Sequence, residues 1–354
     1  MIRLEPRARP SAVVEAVTPV LALLATLVAG GILFALIGND PFRAIRIIFW
    51  DPLFDPFSRS EILIKAAPLI LIALGLSFGF RAGVWNIGAE GQFVVGGLAG
   101  AAVGLAFWGT QGVWLLPLMA LAGAAGGFAW AMIPALLKIR FNANEILVSL
   151  MLVYVAGLFL TAMVSGPLRD PAGFAFPQSR MLHDSARLPR LADTRVHLGV
   201  LAALGLVIAA HVALHRHRFG FEVRLMGAAP RAAAFAGIDR GWMIAACLGL
   251  SGALAGLAGL FEVAGPIGQL QPSLPQGYGF TAIIVAFLGR LNPIGILLAG
   301  LLMGLTYIGG ETAQFALRLP AAAISTFQGM LLFFLLAFDL VTRYRIARIP
   351  RAPA

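Results

Sequence analysis

Three features of the sequence predict an all-α, polytopic membrane fold of about ten spanning helices. Of 354 residues, 60% are apolar and only 12% charged, whereas an average water-soluble domain is about 25% charged. Mean hydropathy is +0.89. The apolar residues gather in runs of about 20, enough to cross ~30 Å of hydrocarbon at ~1.5 Å per residue. The basic residues lie almost entirely between those runs. The net charge of +10 therefore reads as membrane anchoring and excludes a nucleic-acid surface. Cys247 is the single cysteine. It lies in an apolar run, rules out a disulfide within the chain, and reads as a small hydrophobe.

The whole chain, 1–354, reads as one transmembrane domain. Spans are expected at 16–38, 62–79, 83–107, 113–137, 144–166, 196–214, 242–263, 279–289, 293–310 and 321–341. The first run is longer than the roughly 7–15 apolar residues of a cleaved signal, so it is expected to be retained. The eighth is too short to cross alone. It is expected to begin within Gln276-Gly277-Tyr278-Gly279 or to be broken. Glycines recur four apart, as in Gly96, Gly100 and Gly104, Gly123 and Gly127, Gly252 and Gly256, and Gly300 and Gly304. Such rows let helix backbones approach closely in lipid. Leu74-Gly75-Leu76-Ser77 recurs as Leu248-Gly249-Leu250-Ser251, a short trace of internal repetition.

Ten spans put both termini on one side. Of the 26 basic residues, 16 fall in the segments on that side, 9 on the other, and Lys65 within a span. The excess assigns the termini to the cytoplasm. The outer loop 167–195 is proline-rich with mixed charge, and Ser179 within it is expected to be open to the outside. In the inner loop 215–241, Pro230 opens an alanine-rich stretch that Gly237 ends. This is the pattern of a short helix with proline in its first turn and glycine past its end. Two turns are not stable alone, so this helix needs a surface to dock on.

The polar segment Gly83-Val84-Trp85-Asn86-Ile87-Gly88-Ala89-Glu90-Gly91-Gln92 interrupts the third span. Glu90 lies about 13 Å along a helix from Arg81 at ~1.5 Å per residue, close to the bilayer centre, where a charge costs about 2.5–3.5 kcal/mol on insertion scales. On a continuous helix Asn86 and Glu90 would share a face and Gln92 would point elsewhere. Polar residues on a glycine-broken helix at midplane depth are how transporters build substrate paths. Asn86, Glu90 and Gln92 are therefore the candidate substrate-path residues. The competing reading is that they cap broken helices or bind one another. Asn144-Glu145 reads as the start of a helix near the inner surface.

No phosphate-binding G-x-x-x-x-G-K-[ST] loop is present; the only lysines, Lys65 and Lys138, precede Ala66 and Ile139. There is no H-E-x-x-H or G-x-S-x-G either. His211 and His215, next to Arg216, His217 and Arg218, read as a cationic helix end and not as metal ligands. The chain is expected not to be an enzyme and to hold no metal or cofactor.

The stretch from Arg224 to Ile238, followed by Leu250-Ser251-Gly252-Ala253-Leu254-Ala255-Gly256-Leu257-Ala258-Gly259, resembles permease subunits of bacterial ATP-binding-cassette importers. The group is the one for simple sugars, branched-chain amino acids and nucleosides. Asn86-Ile87-Gly88-Ala89-Glu90-Gly91-Gln92, Asn144-Glu145-Ile146-Leu147-Val148-Ser149-Leu150-Met151-Leu152 and Gly289-Arg290-Leu291-Asn292-Pro293 are similar to the nucleoside branch. The resemblance covers about 60–340. It departs at Val153-Tyr154, where a second Asn is expected.

The resemblance implies an inner-membrane permease importing a nucleoside or related polar solute. It implies a cytoplasmic ATPase with two nucleotide-binding halves that binds the ATP, a second related permease, and an extracytoplasmic substrate-binding protein. It makes 230–236 the coupling helix, with Gly227, Pro230, Arg231, Ala233, Ala234 and Gly237 as the coupling residues. Three alternatives stand beside it: a sugar permease of the same group, a proton-coupled secondary transporter using Glu90, and a channel.

Overall fold

The computed structural model describes residues 2–6, 12–174, 176–191 and 194–348. Arg7, Arg9 and Arg351, which entered the charge count above, lie outside them. In chain order the elements are β1 (Ile2–Pro6), α1 (Ala12–Leu36), α2 (Pro41–Phe49), α3 (Asp51–Phe54), α4 (Pro56–Arg81), α5 (Ala89–Ala106), α6 (Leu115–Phe141) and α7 (Glu145–Ser165). A 3₁₀ turn (Asp184–Ala186) precedes α8 (Leu198–Arg216), α9 (Arg218–Ala228), α10 (Pro230–Phe235) and α11 (Arg240–Glu262). A π turn (Val263–Ile267) then leads to α12 (Tyr278–Leu288), α13 (Pro293–Leu317), α14 (Ala321–Arg343) and β2 (Tyr344–Arg348). Among the described residues, eight helices are long and apolar enough to cross a membrane; Val20–Leu36 and Tyr278–Leu288 are shorter apolar helices. The protein is thus an all-α polytopic membrane fold, with β1 and β2 as a small terminal ribbon.

The chain forms two compact units, 1–59 with 305–354, and 60–304. In the first, β1 pairs antiparallel with β2, Leu4 opposite Ile346. Strands that pair must lie on one side of a membrane, so the two terminal segments share a side. Phe34 of α1 stacks on Phe327 of α14 at 6.0 Å, and Ala44, Ile47 and Ile48 of α2 join the same core. Neither α2 nor α3 is visible to a search for 20-residue apolar runs. The signals for α2 are local instead. Asp40 Oδ1 accepts from the Phe42 and Arg43 amides at 2.9 and 3.5 Å, Pro41 fills the first turn, and the buried positions are spaced at three and four.

The second unit is organised by backbone contact between α5, α6 and α11. A Cβ on Gly96 would overlap the Gly256 backbone, and one on Gly127 would lie 2.7 Å from Gly256 Cα and strike the Gly252 carbonyl. The four-residue glycine rows thus face one another across three helices. Gly75 of the first Leu-Gly-Leu-Ser copy abuts the second copy: its Cβ would fall 2.8 Å from Ser251 Cα.

The loop 167–195, expected to be open, is not free. Residues 178–188 dock on the segment that follows α11. Ser179 N donates to Leu270 O (2.9 Å), Leu182 N to Gly268 O (2.8 Å) and Leu188 N to Ala264 O (2.9 Å). Past α11 the π turn and the non-helical backbone after it leave carbonyls without helical donors. The loop supplies donors to those of Ala264, Gly268 and Leu270. Ser179 is accordingly buried, against the expectation of an open position.

Gly256→Val is expected to cost about 1–3 kcal/mol or more, as overpacking in a close-packed interior does. Gly205, on α8, has open space where a Cβ would go, so Gly205→Val is expected to change stability by no more than about 0.5 kcal/mol. Thermal unfolding of the two variants in detergent checks this; equal midpoints would remove the helix contact as a constraint.

Candidate functional site

Residues 84–88 are not helical, and α5 begins only at Ala89. The expected continuous span from 83 is corrected on this point. Gly83 ends the α4 turn with φ +74°, and Asn86 Oδ1 accepts from the Gly88 amide at 3.1 Å, a side-chain turn that competes with helix. The expected pairing of faces is therefore reversed. Asn86 turns to Gln92, with Nδ2 donating to Gln92 Oε1 at 2.8 Å and Oδ1 accepting from Gln92 Nε2 at 3.1 Å. Asn86 Nδ2 also donates to Ser251 Oγ at 2.9 Å. Asn86 and Gln92 are both 1% exposed and Ser251 is fully buried.

Glu90 points the other way and accepts from two backbone amides, Gly277 N at 2.8 Å and Gly279 N at 2.5 Å. Its carboxylate therefore caps the first turn of α12, the short eighth helix, where the exposed N–H groups favour an anion. Gly279 leaves room for this: a Cβ there would lie 2.6 Å from Glu90 Cα. Two broken helices, α5 and α12, thus meet through one carboxylate.

A second polar group, not singled out by the sequence, adjoins this clamp. Lys65 Nζ donates to Tyr278 OH at 2.7 Å and lies 3.4 Å from Gln276 Oε1. Tyr278 OH donates to Glu262 Oε1 at 3.3 Å. One turn before Lys65, Glu61 faces Arg195 at 3.0 Å. The signal was available: Lys65 is the one basic residue inside a span, four residues after Glu61. Tyr278 lies between the two glycines whose amides Glu90 holds.

At the opposite end of this unit lies α10. Its C-terminus closes with Ile238 N to Ala233 O (3.0 Å) and Gly237 N to Ala234 O (3.1 Å), and Gly237 has φ +78°. This paired closure is one of the common helix stops, and only glycine adopts that φ without strain. Ala233 turns inward to a core with Ala82, Val84, Met226, Cys247 and Leu248. Arg231, Ala232 and Ala234 are exposed, and Phe235 is 94% exposed. Of the residues the sequence assigned to coupling, Ala233 thus belongs to the chain's own core; the exposed Phe235 was not among them.

A cavity of about 500 Å³ beside α10 is lined by Gly227, Pro230, Arg231, Arg240 and the ion pair Lys138–Glu145, whose charged atoms are 2.9 Å apart. Asn144 Oδ1 accepts from Ile146 N and Leu147 N, so Asn144-Glu145 is a helix start, as read from the sequence. Arg81 Nε donates to Leu291 O at 3.1 Å, which brings the turns at 81 and 291 to this same end. His211 and His215 stack at 4.4 Å, and among the described residues no cluster of three or more His, Cys, Asp or Glu side chains is arranged to hold a metal ion.

Glu90→Gln replaces one acceptor by a donor facing an amide. The variant is expected to lose about 1–3 kcal/mol, the cost of one unsatisfied buried group, and to keep part of its transport. Glu90→Leu removes both acceptors and is expected to lose more stability and nearly all uptake. Unfolding midpoints and solute uptake measured on both variants check this; wild-type behaviour in both would show that Glu90 is not a clamp.

Residues 58–336 match the family model described as the branched-chain amino acid transport system / permease component. A glucose ABC transporter permease protein of Haloferax volcanii is 37% identical over 98% of this chain and 93% of its own length. The guanosine ABC transporter permease protein NupP of Bacillus subtilis is 31% identical over 89% of this chain and 91% of its own. The nucleoside ABC transporter permease protein NupB of Lactococcus lactis is 26% identical over 83% and 84%. No solved structure matches. With that family model covering most of its length, the chain belongs to the branched-chain amino acid transport system permease family.

Proposed function

We propose that this chain is the membrane-spanning permease subunit of an ATP-binding-cassette importer that carries a nucleoside or a related small polar solute inward. The observation that carries the reading is α10: a six-residue helix, locked by its own closure, that projects an exposed Phe235 from one end of the bundle. Such a helix has little stability of its own, and an exposed aromatic flanked by small residues suits a cleft on a partner. The partner is a cytoplasmic ATPase with two nucleotide-binding halves, which binds and hydrolyses the ATP. A second, related permease and an extracytoplasmic binding protein complete the importer. Gly227, Pro230, Arg231, Ala234 and Gly237 shape the coupling surface, and Ala233 anchors it from inside.

The chain resides in the bacterial inner membrane with both termini in the cytoplasm. Asn86, Glu90 and Gln92 organise the solute path at the broken helices. The guanosine and nucleoside permeases among the relatives support the nucleoside reading; the glucose permease supports a sugar as the second one. Uptake of labelled guanosine and glucose by cells with and without this gene decides between them.

Phe235→Asp is expected to leave the unfolding midpoint unchanged, because the side chain is already exposed. Co-purification with the ATPase and ATP-driven uptake are expected to fall about tenfold or more, as when an interface anchor is lost. Full uptake and full association would remove the coupling role. For orientation, in a Cys247→Ser background, a cysteine at Phe174 is expected to react with an impermeant thiol reagent from outside, and one at Phe235 only after the membrane is opened. The reverse pattern would invert the topology.

A further inference from the structure

Glu61, Lys65, Glu262 and Arg195 carry alternating charge from the surface into a membrane-spanning bundle. Arg195 is half-exposed where it meets Glu61, whereas Glu262 is 3% exposed. Lys65 stands between them, within hydrogen-bond reach of Gln276 on one side and Tyr278 on the other. The Tyr278 hydroxyl joins the Lys65 ammonium to the Glu262 carboxylate, and the ammonium also lies 5.4 Å from the Tyr278 ring centroid. Glu90 fixes the backbone amides on both sides of Tyr278, so the hydroxyl is held on a rigid element.

A Lys–Glu pair kept only for stability gains little in a bundle, because well-packed apolar residues serve as well or better. Charges within membrane spans instead mark solute or ion pathways. The group opens at its Lys65 end: Gln276 is exposed and Lys65 half-buried, with Tyr278 and Glu262 buried behind them. The donors and acceptors are also of the right kind. A carboxylate accepts from one hydroxyl, an ammonium donates to its neighbour, and the phenol between them does either.

We propose that Lys65, Tyr278 and Glu262 form a hydroxyl-recognition site for a vicinal diol on a sugar ring. The inference rests on the importer reading and deepens it. A ribonucleoside and a hexose both carry such a diol, so one site serves either solute. In it, Glu262 accepts from one hydroxyl while Lys65 donates to the adjacent one, and Tyr278 gives up the bridge it makes in the empty site.

The test is saturation-transfer NMR on the assembled transporter in lipid nanodiscs, with inosine and 2′,3′-dideoxyinosine as probes and ATP-driven uptake of inosine and glucose measured in parallel. Transfer to inosine is expected to be strongest at the ribose 2′ and 3′ protons. For dideoxyinosine, which lacks both hydroxyls, binding is expected to be about a hundredfold or more weaker, the loss of two charge-assisted hydrogen bonds. Lys65→Met, which leaves the Glu262 contact in place, is expected to reduce the difference between the probes about tenfold. The double variant Lys65→Met with Glu262→Leu restores charge balance; it is expected to keep its unfolding midpoint and to fail to distinguish the probes. A double variant that binds and discriminates like wild type overturns the site, and normal uptake by that variant leaves the importer standing. Equal binding of both probes by wild type also overturns the site. Diol-dependent binding without any uptake supports the site and overturns the importer reading instead.

Discussion

Backbone-to-backbone contact between α5, α6 and α11 is the constraint on which the second unit depends. In lipid there is no hydrophobic drive to bring helices together, because the solvent is as apolar as the side chains. Close packing must supply the attraction instead, and it grows as backbones approach. Gly96, Gly127, Gly252 and Gly256 leave no space for even a methyl group between these helices. That closeness has a chemical consequence. It brings Ser251, next to Gly252 in the chain, within 2.9 Å of Asn86, so the amide pair Asn86–Gln92 is satisfied from three segments at once.

With the three-helix contact fixed, broken helices become tolerable. Every backbone amide freed by a break within hydrocarbon needs a partner. Glu90 supplies one for the start of α12, and the loop 178–188 supplies donors to the π turn and to the backbone just after it. These are not decorations on a regular bundle. They are what allows non-helical backbone at residues 84–88, 268–277 and the π turn, and non-helical backbone at membrane depth is where transporters expose polar groups to a solute.

The architecture was largely legible in the sequence because the bilayer simplifies it: apolar length alone locates a spanning helix, and each of the ten expected segments contains a helix. Three things were not legible, each for a physical reason. The helix α2 is set by a cap and a short amphipathic face, not by length. The face assignment at Asn86 failed because a 3.6-residue period holds only while the helix is continuous, and an asparagine side chain ended it. The Lys65–Tyr278–Glu262 group joins three segments distant in sequence; a single lysine within a span was its only local sign. In α10 the pattern Pro230 to Gly237 predicted the helix, but a run of alanines carries no information about which one faces inward. Packing against Met226 and Leu248 decided that for Ala233.

The inner end and the polar sites are joined by short, stiff stretches of chain. Ala233 of α10 packs in one core with Val84 and Leu248. Val84 is two residues before Asn86, and Leu248 is three before Ser251, so the apolar core under α10 passes directly into the amide pair. Gln92, the partner of Asn86, lies on the same first turns of α5 as Glu90, and Glu90 holds both amides that flank Tyr278. A displacement of α10 by a fraction of its width has no soft element to absorb it along this route: close-packed interiors transmit strain instead of damping it. In the proposed importer, movement driven at Phe235 would therefore reach the start of α12 through side chains that are almost fully buried, and the proposed solute-contacting residues lie at the far end of the same contacts.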